Sequence, residues 1–206
     1  MSEIKVNKVS PATGTAIQLG DSGDTFTVPS GATIVNSGTA TGFGGGGKVL
    51  QVLQNVKTDT QSISGNTFTT VLSQAITPSA TSSKVLITVS IKVTGSVRYS
   101  AVKLYRDSTQ IYLADADGSR ARVSVSSMLN ESASSGTAIM HNSNFSFLDS
   151  PSSTSSVTYY VKAANTYTGN SYGTGATTYI NNNVDNGDAD WSHRGASSLI
   201  VQEIGA

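Results

Sequence analysis

Hydrophobic and polar residues alternate along most of this chain with a period of two. The clearest run is 84–93, KVLITVSIKV, which sets Val85, Ile87, Val89, Ile91 and Val93 on one face and Leu86 on the other. A strand turns successive side chains to opposite faces, whereas a helix needs apolar residues three and four apart. The same reading predicts strands over 48–56 (KVLQVLQNV), 67–72, 97–105 (VRYSAVKLY), 109–113, 122–128, 138–148, 157–162 (VTYYVK), 177–180 and 198–204. Gly, Ser, Asn, Asp and Pro clusters separate them, as turns require. The hydroxyl-rich stretches 62–66, 78–83 and 150–156 read as turns. No amphipathic helix beyond a turn or two emerges. About eight to ten strands in roughly 160 residues predict an all-β head over 48–206, a jelly-roll-like antiparallel β-sandwich. A closed up-and-down barrel is the other architecture open to it, since an open sheet would expose long edges.

The pattern before residue 44 differs. Ile4 and Val6 alternate, followed by Ala16, Ile17 and Leu19, then Phe26 and Val28, then Ile34 and Val35, with turn signals between. Four consecutive glycines, 44–47, cannot hold a regular element against backbone entropy and predict a hinge. Segment 1–43 carries too few large apolar side chains for an independent core. Three copies winding about one axis would supply a shared one. The expectation is therefore a short N-terminal β stalk or attachment segment, with Ile4, Val6, Ile17, Leu19, Phe26, Val28 and Ile34 as anchor and trimer residues. A poorly ordered arm, or one docked on a larger partner, are the alternatives.

Composition narrows the function. Of 206 residues, 58 are Ser or Thr and 20 are Gly, while only 13% are charged, so solubility must come from hydroxyls and amides. The absence of cysteine excludes a disulfide framework and a thiolate metal site. A net charge of +0 argues against an electrostatic nucleic-acid binder. No apolar run is long enough to span a membrane, and the opening MSEIKVNKVS lacks a signal-peptide core.

Candidate chemistry is sparse. His141 and His193 sit in polar surroundings without a nucleophile elbow, so a hydrolytic triad is not expected. Asp185, Asp188 and Asp190 form a weak calcium candidate, although Asp-Gly and Asn-Gly are ordinary hairpin chemistry. Asp115 and Asp117 read the same way. A glycosidase would need paired carboxylates and aromatic platforms, and aromatics are 7% of the chain. No enzyme activity and no cofactor are expected. Tyr159 and Tyr160 point to opposite faces of their strand, so one of them packs in the core. Tyr167, Asn170, Tyr172, Asn181, Asn182, Asn183 and Trp191 have the composition of an adaptable recognition surface, or equally of subunit contacts.

The ordered series KVLQVLQNVKTDTQS, TPSATSSKVLITVSI, LYRDSTQI, DADGSR, FLDSPSSTSSVTYYVKA and RGASSLIVQEI resembles the distal domain of structural fibre proteins from tailed phages of marine bacteria and cyanobacteria. The resemblance covers 48–206, and AIQLGDSGDTFTVPSGATIVNSGTATGFG resembles the segment preceding that domain. It implies a homotrimeric, non-enzymatic virion surface protein, assembled in the host cytoplasm, that binds other virion proteins by its N-terminal segment. The displayed head would recognise a host-surface glycan. A capsid decoration protein is the alternative, and a glycan-degrading tailspike a third. An uncharged hydroxyl surface suits high ionic strength, where surface ion pairs are screened.

Overall fold

The computed structural model describes residues 9–18, 20–33, 35, 37, 47–95, 99–128, 140–166, 176–184, 187–190 and 192–205. The chain divides into two units, Met1–Gly44 and Gly45–Ala206.

Eleven strands are found among the described residues, all in the second unit. They are β1 (Val49–Lys57), β2 (Gln61–Ser64), β3 (Thr69–Ile76), β4 (Lys84–Gly95), β5 (Tyr99–Arg106), β6 (Thr109–Ile111), β7 (Val125–Met128), β8 (His141–Asp149), β9 (Val157–Asn165), β10 (Thr177–Ile180) and β11 (Ser197–Ile204). Every pairing is antiparallel. One sheet runs β1-β11-β4-β10-β2 with β8 also on β4, and the other runs β3-β9-β5-β6 with β7 also on β5.

The registers reduce these strands to eight lanes. β11 pairs with the first part of β4 and β10 with its end, so β10 and β11 share one lane. β1 and β2 share the next lane, because β1 pairs with β11 and β2 with β10. β8 lies on the opposite edge of β4. In the same way β6 and β7 share the lane beside β5. In chain order the lanes run 1-8-3-6 in one sheet and 2-7-4-5 in the other. That is the strand order of a jelly roll.

The core lies between the sheets. Val85, Ile87, Val89, Ile91 and Val93 of β4 are at most 1% exposed. They pack with Leu72 and Ile76 of β3, Val102 and Leu104 of β5, Tyr159 and Val161 of β9, and Leu199 and Val201 of β11. Burying each such aliphatic side chain contributes roughly 1.5–3 kcal/mol.

Two sequence expectations are corrected. Segment 62–66 was expected as a turn, but 61–64 is β2, antiparallel to β10. Its single apolar residue, the buried Ile63, is too little to produce an alternation. The β pieces expected within 1–43 are absent among the described residues, which hold no strand there and are all exposed. Strand hydrogen bonding needs a partner strand, and the described residues of this unit supply none to one another. Its local order comes from a turn in which Asp24 N–H donates to Asp21 O at 3.0 Å and Asp21 N–H to Asp24 Oδ2 at 2.8 Å. Of the expected anchor residues, Ile17, Phe26 and Val28 are exposed within the chain. Ile4, Val6, Leu19 and Ile34 lie outside the described residues, as does most of the expected hinge.

One buried carboxylate gives the sandwich an acid limit. Glu203 on β11 is 1% exposed. Its Oε1 accepts from Ser79 N–H at 2.7 Å and Ser79 Oγ at 2.6 Å, and its Oε2 accepts from Gln51 Nε2 at 2.7 Å. Burial pushes its carboxyl up, but hydrogen bonds from Ser79, Gln51 and Ser83 outweigh this and hold its pKa at about 2, below the ordinary 4.5. A depressed folded-state value means stability is fully present above the unfolded value and is lost as pH falls through the folded one. Urea midpoints of the full chain should therefore fall steadily from about pH 5 towards 2. Glu203→Gln should start lower at neutral pH and fall less steeply. Parallel profiles for the two proteins would assign the acid sensitivity to other groups.

Candidate functional site

The expected recognition surface is corrected at three positions. Asn181, Asn182 and Asn183 are 0%, 5% and 4% exposed, interior rather than displayed. Asn181 follows β10, where three neighbouring lanes are tied together. Its Nδ2 donates to Lys57 O at 2.8 Å and Asp59 O at 3.0 Å, between β1 and β2. Its Oδ1 accepts from Ser197 Oγ at 2.6 Å at the start of β11, and that hydroxyl oxygen accepts from Lys92 N–H of β4 at 2.9 Å. Asn181 N–H donates to Lys92 O, and its own carbonyl accepts from Gly195 N–H. Its φ of 59° is one that Asn tolerates better than most residues. Part-buried carbonyls where a lane breaks need donors, and a carboxamide is long enough to supply two. Asn183 Oδ1 accepts from Ser192 Oγ. Tyr167, Asn170, Tyr172 and Trp191 lie outside the described residues.

The polar candidates are dispersed. Asp185 is outside the described residues, and Asp188 and Asp190 are exposed. Among the described residues no group of three or more acidic or histidine side chains is placed to hold a metal. Asp117 instead pairs with Arg120 at 2.8 Å within its loop. His141 opens β8 opposite Val93, and its Nε2 is buried without a hydrogen-bond partner. His193 is exposed. Asp149 is buried and structural: it accepts from Arg106 Nη1 at 2.8 and 3.0 Å and from Tyr159 Oη at 2.7 Å. Burial and the adjacent Asp149 carboxylate push the Tyr159 hydroxyl well above the ordinary tyrosine range.

The outer face of the β3-β9-β5 sheet carries a different chemistry. Tyr159 and Val161 face the core, so Tyr160 and Lys162 face outward, and Lys103 and Tyr105 do the same beside the buried Val102 and Leu104. The register sets Lys103 directly opposite Lys162, and Tyr105 opposite Tyr160. Like charges in opposed positions repel. Each ammonium is placed over an aromatic face. Lys103 Nζ lies 4.2 Å from the Phe68 ring centre, and Lys162 Nζ lies 4.5 Å from Tyr105 and 5.7 Å from Tyr160. Such contacts offset part of the repulsion. Partial burial lowers the pKa of the Lys103 ammonium. Among the described residues no carboxylate forms an ion pair with either lysine. The sequence reading missed this cluster. The signal for Tyr160 and Lys162 was present in the alternation of VTYYVK, but their pairing with 103 and 105 depends on register.

The opposite sheet turns a mixed face outward, with Thr88, Ser90 and Lys92 of β4 and Asn142 and Ser146 of β8 hydrogen-bonded across it and apolar side chains mostly toward its edges. Leu50, Val52 and Val56 of β1 and Leu148 of β8 are each about half exposed, at 49%, 54%, 53% and 49%. Leu148 pairs across with Leu86 of β4.

No family model matches the chain, and no curated protein matches it. Among solved structures, the chain is similar to the infectious bursal disease virus VP2 subviral particle, with a TM-score of 0.36 and 14% identity. That alignment covers 76% of this chain and 38% of the viral chain, so this chain spans well under half the length of that one. The jelly-roll description rests on the strand order within this chain. Among the described residues no helix is long and apolar enough to cross a membrane.

Proposed function

We propose that this chain is a non-enzymatic structural protein of a phage virion, a short trimeric fibre or spike. Residues 1–43 attach it to other virion proteins, and the jelly roll is displayed for recognition of a host-surface glycan. The observation that carries this reading is the chemical contrast between the two outer faces of the sandwich. One carries half-exposed Leu50, Val52, Val56 and Leu148 around a hydroxyl- and amide-rich centre, and these apolar side chains suit packing against another copy. The other presents lysines and aromatic rings at Phe68, Lys103, Tyr105, Tyr160 and Lys162, which suits stacking on sugars. The ordered resemblance of 48–206 to phage fibre heads supports the same assignment. Trimeric display would multiply weak single-site contacts.

The same apolar side chains would also suit a decoration protein seated on a capsid. Immunogold labelling of purified virions separates the two readings. Label on the tail, together with block of adsorption by the soluble full chain, is the expected result. Label across the capsid without such block would transfer the assignment to decoration. Absence of the chain from virions would overturn both.

A further inference from the structure

We infer that the ligand of the β3-β9-β5 outer face is an acidic saccharide, its anionic group held between Lys103 and Lys162 and its rings lying against Tyr105, Tyr160 and Phe68. This deepens the receptor-binding reading and rests on it.

The register argues for an anion. Two lysines stand directly opposite one another on adjacent strands of a chain whose formal charge is +0 and whose charged residues are only 13% of the total. Opposed like charges weaken a sheet, and a carboxylate opposite either position would relieve them. Among the described residues neither ammonium has one. Each ring occupies one side of its ammonium, leaving further N–H donors for an incoming oxyanion. An anion there would meet two cations in a partly dehydrated setting, where charge-assisted hydrogen bonds are stronger than in open water.

The aromatic content argues for a sugar. Phe68, Tyr105 and Tyr160 lie around the lysine pair on one sheet face, and flat rings beside a cation suit a pyranose that carries a carboxylate or sulfate. The surrounding positions are neutral: Ser73 and Tyr105 flank Tyr160, and Gln110 follows across from Tyr105. A nucleic acid offers anions and flat rings too, but its affinity comes from neutralising many phosphates, and the described residues put two lysines at this spot.

The test uses the full chain and calorimetric titration with oligogalacturonate against its fully methyl-esterified form, which keeps the ring and removes the charge. A second pair, dextran sulfate against dextran, separates a sulfate ligand from a uronate. Binding of one acidic form about tenfold or more above its neutral partner is expected, weakening with added salt. Lys103→Gln with Lys162→Gln should erase that preference, while Lys84→Gln, at an exposed lysine elsewhere, should leave it intact. Thermal melting confirms that the variants fold, and the comparison of charged with neutral probes needs no variant. Equal binding of acidic and neutral forms overturns the inference, as does tighter binding of oligothymidylate. If soluble chain blocks adsorption to host cells while showing no acidic preference, the inference fails and the receptor reading stands. If it neither blocks adsorption nor binds these probes, both fail.

Discussion

Replacing Asn181 by alanine is expected to destabilise the sandwich by about 3–5 kcal/mol. The change removes three side-chain hydrogen bonds at once, to Lys57 O, Asp59 O and Ser197 Oγ. It leaves two part-buried carbonyls without this donor, and an unsatisfied group costs up to roughly 1–3 kcal/mol where water is excluded. It also places a β-carbon without a helpful amide at a φ of 59°. Asn181→Gly keeps the backbone conformation and loses only the hydrogen bonds, so it should be milder by about 1 kcal/mol. Asn181→Asp should be as severe as alanine, because it turns a carboxylate oxygen towards two carbonyl oxygens. Urea unfolding of the full chain measures all three. An alanine variant within about 1 kcal/mol of the parent would mean that water replaces the carboxamide and that the lanes hold without it.

The second large effect is expected at Asp149. It ends β8 in one sheet, whereas its partners Arg106 and Tyr159 belong to β5 and β9 in the other. The carboxylate therefore ties the two layers at one end of the sandwich. It is 7% exposed, and the Arg106 side chain is 26% exposed. Removing one member of a buried ion pair costs about 3–5 kcal/mol, largely because the remaining charge is left without a partner. Asp149→Ala should lower the melting temperature by roughly 10 °C in a domain of this size. Tyr159→Phe removes one hydrogen bond and keeps the ring in the core, so about 1–2 kcal/mol is expected. Replacing both Asp149 and Arg106 should cost less than the sum of the single changes, since no unpaired charge remains. Strict additivity in that cycle would show that the pair does not act as a unit.

Asn181, Asn182 and Asn183 read as a displayed polar run, because three consecutive asparagines between a strand and an acidic stretch with an Asn-Gly turn resemble a loop. Asn181 is instead enclosed, and its carbonyl partners at Lys57 and Asp59 lie 124 and 122 residues away in the chain. No local pattern carries that information. Glu203 is similar: nothing in SLIVQEI marks it as buried, and its burial depends on Ser79 and Gln51. Polar residues are buried when distant backbone groups need partners, so their location follows topology rather than hydropathy.

What the sequence determined by itself was the strand content and the inward faces. Period-two alternation identified Val85, Ile87, Val89, Ile91 and Val93 as one side of a strand, and all five are in the core. It also required Tyr159 and Tyr160 to part company. Side-chain direction along a strand is a local property of the backbone, so it is legible without knowing the neighbours. The tertiary structure alone decided which tyrosine went inward, which sheet each strand joined, and which residues face one another across it. β2 emerged only because β10 offers it a hydrogen-bonding edge. Lys103 meets Lys162 only because β5 and β9 pair in that register. Register is a property of two strands together, set by how the whole core packs, so a surface assembled across strands is invisible until the sheet exists.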